Sequence, residues 1–481
     1  MMISKKISND KLFSTVVENG FCIGCGACAA FDESIQIKFD ESGRYVATRK
    51  PGIQPVDASL RVCPFADGVP NEDALAREAF GPKIPLDPHI GYNVSNYAGW
   101  VVESDFRSKG SSGGMVSWVL VELLERGLVD YVINVTPNSS SENGSPLFNF
   151  SISSTSTEVR SGSKSRYYPV EMSGVIREML KRPGRYAVVG IPCFIKAIRL
   201  SSRESSVLRE RLAFCISIVC GHLKSTAFAE SFAWQCGVAP GELKAIDFRT
   251  KLPDRPANSY AVTVTGIQCG HPTTVTKPTS ELFGANWGHG FFKYKACDFC
   301  DDVVGETADI SLGDAWLPEY ESDSAGTNVV VVRSRVLNTL LADAAGKGRL
   351  HLESISAEKV HESQSGGFRH RRDGLSYRLF LEDQKGDWRP KKRVEPSEKH
   401  LTKKLKKIYR SRYELGQLSL SAFAEAKAKG DFGLFLQIMK PMVTQYDNLY
   451  RRSYPFRILG RIKRITFKVI DIIKTKNQNV K

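Results

Sequence analysis

Three cysteines recur at two-residue intervals in Cys22-Ile-Gly-Cys25-Gly-Ala-Cys28, and after a long gap the pair Cys63-Pro64 supplies a fourth. A C-x2-C-x2-C triplet wraps one corner of an iron–sulfur cubane, because each two-residue step turns the next sulfur back toward the same core. Gly24 and Gly26 relax the backbone for that path. In two-cluster ferredoxins the triplet runs straight on to a Cys-Pro pair that serves the other cluster. Here Ala29, Ala30 and Phe31 follow instead, so Cys22, Cys25, Cys28 and Cys63 are expected to close a single 4Fe-4S cluster. A structural zinc site would use C-x2-C pairs and leave one sulfur of the triplet unexplained.

A second set is more widely scattered. Cys193 and Cys220 each fall where a buried strand is expected to run out, the rim at which open α/β sheets bind ligands. Cys297-Asp-Phe-Cys300 adds a C-x2-C pair. Cys193, Cys220, Cys297 and Cys300 are therefore expected to converge on a second metal centre. Their spacing alone leaves a second 4Fe-4S cluster and a four-thiolate zinc site both open. Cys215 lies mid-strand and, with Cys236 and Cys269, is expected to be a buried structural thiol.

The elements that must hold these residues read as an α/β (α+β) chain. Its 481 residues, 42% hydrophobic and 25% charged, have ordinary globular composition. The start, MMISKKISNDK, carries no apolar run behind its lysines, and no eighteen-residue apolar stretch occurs, so neither secretion nor a membrane span is expected. Eleven cysteines in a chain of this size point to a reducing compartment and to metal. The net charge of +15 is localised: residues 385–481 carry 25 Lys/Arg against 8 Asp/Glu. A near-neutral body thus bears a basic tail, and the charge is no nucleic-acid signature.

Residues 1–75 read as a ferredoxin-like module containing a hairpin in SIQIKFDESGRYVATRK. Pro-rich text around Pro82, Pro85 and Pro88 suggests a linker. Residues 90–170 begin the body with a strand near Trp100, the loop Ser108-Lys-Gly110-Ser111-Ser112-Gly113-Gly114, the apolar helix MVSWVLVELLERG and the strand VDYVINV. That order suggests a βαβ-like unit. Residues 136–165, rich in Ser, Asn and Gly, suggest a surface excursion ending at Ser163-Lys164-Ser165-Arg166. Residues 171–350 continue with strands alternating with helices, which argues for a largely parallel sheet. Residues 351–481 form a linker and a basic helical tail.

Taken in order, CIGCGAC with Cys63-Pro64, SSGGM, the stretch around Ser163, GIPC, Cys220-Gly221-His222, Asp247-Phe-Arg249-Thr-Lys251, CDFC, ADISLGDAW and NVVVVRS resemble the beta subunits of coenzyme F-420 hydrogenase and formate dehydrogenase. The resemblance extends to single-chain relatives such as 7-hydroxymethyl chlorophyll a reductase, and runs from Cys22 to about Ser334. It implies an iron–sulfur flavoprotein with two 4Fe-4S clusters and FAD, the flavin joining one-electron carriers to a two-electron organic acceptor. It also implies a phosphate cradle at Ser111, Ser112, Gly113 and Gly114, where free N–H groups and a helix N-terminus face an anion. Ser163, Lys164 and Arg166, with Arg249 and Lys251, are then expected to flank the flavin pyrophosphate or an anionic substrate. The family tends to show CHG where this chain has Cys220-Gly221-His222, so a proton-transfer role for that imidazole does not carry over.

His289 is a candidate proton donor, with a satisfied structural histidine as the alternative. The run KKRVEPSEKHLTKKLKKIYRSRYE is expected to be a solvated helix face. Ile458, Ile462, Ile465, Val469 and Ile472 recur at helical spacing beside Arg457, Arg461, Arg464 and Lys468, an amphipathic basic helix. Its expected contacts are a protein surface or an anionic membrane. The expected whole is a cytoplasmic oxidoreductase, peripheral on the inner membrane surface if the tail binds lipid. It would draw electrons from ferredoxin or a similar donor protein and reduce a small organic acceptor. A non-catalytic relay subunit and a zinc-stabilised binding module are the alternatives.

Overall fold

The computed structural model describes residues 10–451, other than 54–55, 82–83, 139–143 and 254. The amphipathic basic segment at 458–472 lies outside the described residues.

The expected hairpin is present as β1 (Ile35–Phe39) and β2 (Tyr45–Arg49), with Ile35 opposite Arg49 and Phe39 opposite Tyr45. Asp40 makes its turn by accepting the Ser42 and Arg44 backbone N–H groups at 3.0 and 2.9 Å, the local side-chain bonding that places Asp at turns. Helix Ala27–Phe31 packs on β1, and helix Ala58–Arg61 packs on that helix. The Pro-rich stretch read as a linker instead contains a short ladder of β3 (Leu86–Asp87) and β4 (Gly91–Tyr92).

The centre of the molecule is an eight-stranded mixed sheet. Its strands are β5 (Ser95–Val101), β6 (Tyr131–Pro137), β7 (Phe148–Ser153), β8 (Tyr186–Gly190), β9 (Leu212–Ile218), β13 (Ile310–Asp314), β14 (Asn328–Val332) and β15 (Leu350–Ser354). Across the sheet they run β15-β5-β14-β13-β9-β8-β6-β7. Only the middle pairs, β13 with β9, β9 with β8 and β8 with β6, are parallel. The flanking pairs are antiparallel, so the expectation of a largely parallel sheet holds only for the centre. Nor do β5, the apolar helix and β6 form a local βαβ unit, because β5 pairs with β14 and β15.

Residues 144–165 do not form the surface excursion expected of 136–165. They return as β7, an edge strand on β6 that buries Phe148 and Phe150 and leaves Asn149 exposed, followed by helix Ser156–Ser161 with a Thr155–Glu158 capping box. One buried face and one wet face explain the polar composition.

The sheet is covered on both sides, as its near-continuous apolar strands require. Ala187, Val189 and Ile216 pack on helices Met115–Glu125 and Arg335–Gly346. Tyr186, Val188 and Cys215 pack on helices Ser173–Lys181 and Pro192–Glu204, and the same core takes in Phe21, Ile35 and Val62 from the N-terminal stretch. A separate antiparallel sheet of β10 (Leu243–Thr250), β11 (Ala261–Gln268) and β12 (His271–Pro278) shares another core with helix Thr226–Gln235 and the C-terminal helices Lys403–Lys429 and Phe432–Tyr450. Phe292 stacks on Phe435 at 5.6 Å, and Phe423 meets Phe435 edge-on at 5.6 Å, each contact contributing about 0.5–1.5 kcal/mol beyond burial.

The basic run near residue 400 is therefore not a solvated face. Ile408, Tyr409 and Leu415 are buried. Arg393 pairs with Glu306 through two bonds of 2.7 and 2.9 Å and reaches Asp301 at 3.2 Å and Asp73 at 2.7 Å. Among the described residues no helix is long and apolar enough to cross a membrane.

Candidate functional site

The first cysteine set sits where the N-terminal stretch meets the body. Gly24 and Gly26 both adopt left-handed backbone, with φ of 64° and 82°. A Cβ on Gly26 would meet Glu171 Oε2 at 2.3 Å and Ser173 N at 2.7 Å, so the loop lies flat against helix Ser173–Lys181. Met172 N–H donates to Cys25 O at 2.9 Å and holds it there. Cys22 Sγ accepts N–H groups from Gly24 and Ala47, each at 3.4 Å. Burial pushes all four thiols up: Cys63 to about 12, with Cys22 adding to it, and Cys25 and Cys28 further still, with the other sulfurs of the set contributing. Four mutually opposing thiols in a dry site ionise together only around a cation.

The second set lies at the carboxyl ends of β8 and β9. Cys193 is in the first turn of helix Pro192–Glu204, rather than in a loop as expected, where Pro192 fits an N-terminal position. Cys220 follows β9. Cys297 is in the turn Lys295–Phe299, and Cys300 ends it. Leu223 N–H donates to Cys297 Sγ at 3.2 Å. Burial raises Cys193 well above the ordinary range, with Cys300, Cys220, Cys297 and then Cys25 of the first set adding to it. The two sets are thus electrostatic neighbours. Arg371 donates to Cys220 O at 2.6 Å and Gly221 O at 2.8 Å, and its charge offsets part of the burial that carries Cys220 to about 11.

Among the described residues no three Cys, His, Asp or Glu side chains gather as one bound ion requires. Zinc thiolates all stand about 2.3 Å from a shared metal, whereas a cubane carries its four thiolates on separate irons. Within each set the sulfurs are close enough to raise one another's thiols electrostatically. Cys215 is fully buried and Cys236 nearly so. Cys269 departs from expectation: it is exposed, with φ of 50°, in the turn between β11 and β12.

A cavity of about 840 Å³ opens beside the second set and takes Cys220 and Cys297 into its wall. The glycine loop forms another part of that wall through Gly110, Ser111, Ser112 and Gly114. Gly114 has φ of 83°, and a Cβ there would meet the Phe106 carbonyl carbon at 2.5 Å, so only glycine can start the following helix along this path. Gly113 is outside the lining, packed where a Cβ would meet Asn328 Oδ1 at 2.7 Å. Ser111 Oγ accepts the Ser165 N–H at 2.8 Å, while Ser112 Oγ donates to Thr327 O at 3.0 Å.

Ser163, Lys164 and Arg166 line the same cavity. Ser163 Oγ is 3.0 Å from Ser117 Oγ. Lys164 has φ of 98°, donates to Arg249 O at 3.2 Å and pairs with Asp247 at 3.1 Å. The Arg166 guanidinium lies 4.8 Å from the Phe148 ring centre, and its Nε is buried without a partner. Arg249 also lines the cavity, but Asp314 already holds it through two bonds of 3.0 and 3.1 Å. Lys251 lies away from the main cavity, its ammonium saturated by the carbonyls of Arg107, Ser112 and Ala325 at 2.5, 2.9 and 2.6 Å. It braces the glycine loop from beneath.

His289 stands apart from the cavity, with its Nδ1 buried and without a partner among the described residues. Its Nε2 is 2.9 Å from Asp447 Oδ1. Its neighbour Trp287 faces the cavity instead, as do Lys224, Lys293, Arg371, Arg378 and Arg412. The arginines come from the stretch read as a tail, where dense charge hid three residues that turn inward. The signal available was Ile408, Tyr409 and Leu415, apolar residues at helical spacing around Arg412.

Fold and site together define a mixed α/β protein with two four-cysteine sets, the second opening onto a ligand-sized cavity. Family models for the N-terminal and C-terminal parts of the coenzyme F-420 hydrogenase/dehydrogenase beta subunit match residues 96–177 and 184–358 respectively. Together these span more than half of the chain, which belongs to this family. It is 27% identical over 217 residues to a subunit of the F(420)H(2) dehydrogenase of Methanosarcina mazei, a match covering 43% of this chain and 54% of that protein. The chain thus spans about half the length of that relative. It is 20% identical over 281 residues to the beta subunit of the coenzyme F-420 hydrogenase of Methanosarcina barkeri, covering 57% of this chain and 86% of that one. A chain of the solved F-420-reducing NiFe hydrogenase complex of Methanosarcina barkeri superposes with a TM-score of 0.46 at 16% identity, covering 62% of this chain and 96% of that chain.

Proposed function

We propose that this chain is an iron–sulfur flavoprotein oxidoreductase. Electrons from a ferredoxin-like donor protein would enter at the first cysteine set, pass to the second, and reach a small organic acceptor in the cavity. The observation carrying this reading is the placement of Cys220 and Cys297 in the wall of a cavity large enough for a cofactor. Cys22, Cys25, Cys28 and Cys63 would hold one 4Fe-4S cluster in a ferredoxin-like module, and Cys193, Cys220, Cys297 and Cys300 the other. Ser111, Ser112 and Gly114 would receive the FAD diphosphate, with Lys164 and Arg166 closest to hand. Bound there, the flavin would couple one-electron supply to two-electron reduction. The chain's own part is to shield both sulfur sets from water and to hold the cofactor against the wall that carries the second.

Anaerobic purification followed by assay of iron, sulfide, zinc and released flavin tests the reading. About eight irons and one FAD per chain are expected. Zinc in place of iron, or a colourless protein without flavin, would overturn it. The printed names of the relatives, subunits of a dehydrogenase and a hydrogenase, favour a second reading in which the chain relays electrons to or from a partner protein. Turnover of a small acceptor by the isolated chain, given reduced ferredoxin, would exclude a relay without catalysis.

A further inference from the structure

At the end of the cavity nearest the second cysteine set, Lys224 is 1% exposed and His222 is 7% exposed. Lys224 Nζ donates to one carbonyl, Phe291 O at 2.6 Å, and lies 4.7 Å from the Trp287 ring centre. No described carboxylate pairs with it in the way that Asp314 holds Arg249. Arg412 enters from helix Lys403–Lys429, its guanidinium donating to Gly288 O at 2.9 Å and Trp287 O at 3.3 Å. His222 Nε2 is buried without a partner. Lys293, the next cation along the wall, has Asp298 at 2.5 Å, and Asp298 is shared with Arg378 at 3.7 Å. Lys224 and Arg412 are therefore buried or half-buried cations whose only polar partners among the described residues are backbone carbonyls.

Burial, then the nearby charges of Arg412 and Lys293, pull the Lys224 ammonium well below its ordinary range, and an anion bound beside it would restore the charged form. Of the second cysteine set, Cys297 is an electrostatic neighbour of Lys224 without bonding it, and Arg371 is the cation bonded to the Cys220 and Gly221 carbonyls. The glycine loop and Arg166 belong to another part of the wall. Arg412 also lies outside the stretch that the family models match, which ends at residue 358.

We infer that Lys224 and Arg412, with His222 as a hydrogen-bonding partner, form an oxyanion subsite that receives a carboxylate or phosphate of the acceptor. This rests on the proposed reading in taking the cavity as the acceptor's site. Trp287 would form its apolar floor. The C-terminal helical region, through Arg412, then joins Lys224 of the family-matched body in selecting the substrate by charge.

Calorimetric titration of the anaerobically purified chain with inorganic phosphate and with malonate tests the subsite, the two probes separating phosphate from carboxylate recognition. At least one anion is expected to bind, and Lys224→Gln and Arg412→Gln are each expected to weaken it tenfold or more. Arg412→Lys should retain part of the binding, and iron, sulfide and flavin contents should match the wild type. Failure of both anions to bind overturns the inference, as does binding that survives both glutamine substitutions or is abolished only by Lys164→Gln. A variant that loses its cofactors is replaced by its Lys224→Arg or Arg412→Lys counterpart; loss of binding there, with charge kept and cofactors intact, also counts against the inference. A chain lacking iron and flavin that still binds phosphate through Lys224 and Arg412 would sink the redox reading and leave the subsite standing.

Discussion

Arg393 joins residues distant in sequence, and its side chain is only 12% exposed while it bonds Glu306 twice, Asp301 and Asp73. Removing one member of a buried ion network strands the others. Arg393→Met should therefore cost about 3–5 kcal/mol, read as a lowered denaturant midpoint; a loss below about 1 kcal/mol would mean that water already enters the network. Glu103 offers a test by pH. The Arg349 guanidinium, bonded at 2.8 Å, holds its carboxyl below the ordinary value of about 4.5 against the opposing effect of burial, and Trp118 Nε1 donates at 2.5 Å in the same direction. A carboxyl lowered on folding contributes stability above its unfolded value and loses it as pH falls through the folded one. Wild type should exceed Glu103→Gln in stability at pH 7, and the gap should narrow from about pH 5 downward. A gap that stays constant to pH 3 would contradict the assignment.

At the scale of elements, the glycine loop and its helix form one device. Gly114 takes a left-handed turn against Phe106, Lys251 ties three carbonyls beneath, and Ser111 catches the segment that brings Ser163 to Arg166 to the cavity. Gly114→Ala should cost more than about 1–2 kcal/mol, since the backbone penalty of a left-handed alanine is compounded by the 2.5 Å approach to Phe106. Flavin recovered per chain should fall with it; unchanged stability and flavin would mean that the loop is free to move. The loop, the helix after it and the strands at Tyr186 and Leu212 were legible because apolar runs bounded by glycine or proline have few other readings. Edge strand β7 was not, since a strand wet on one face looks like a loop in composition. The cavity's arginines were not legible either: in KKLKKIYRSRYE nothing local distinguishes the inward Arg412 from its exposed neighbour Arg410, and only the packing of a 27-residue helix decides.

For the whole molecule, thiol chemistry reads the assembly directly. All eleven cysteines are free of disulfides, and Cys269 alone is exposed. A thiolate reagent at pH 8 should label Cys269 rapidly, and Cys269→Ser should remove the fast phase. The eight cysteines of the two sets should remain slow even in the presence of an iron chelator, because burial holds Cys63 and Cys297 at about 12 and Cys220 at about 11 and the thiolate is the reactive form. Eight rapidly reacting thiols on treatment with a chelator would show that these sites open to solvent. That Cys22, Cys25 and Cys28 neighbour one another was legible from spacing, and Cys63 joins them as an electrostatic neighbour. The approach of the two sets was not, because it depends on where helix Pro192–Glu204 docks.

That helix carries Cys193 at its start, and along its length it is tied to the N-terminal stretch by Lys196 to Glu72, Arg203 to Glu78 and Glu204 to Arg61. The Lys196–Glu72 pair is buried, and Phe21, Ile35 and Val62 of the stretch share a core with Phe194 and Ile195 of the helix, while the two exposed pairs add little. The N-terminal stretch cannot then act as a swinging arm that visits a donor and returns. The gap between the two sulfur sets becomes a constant of the architecture, so the rate of any electron crossing it would be set by tunnelling distance and driving force, with no wait for a collision between moving parts.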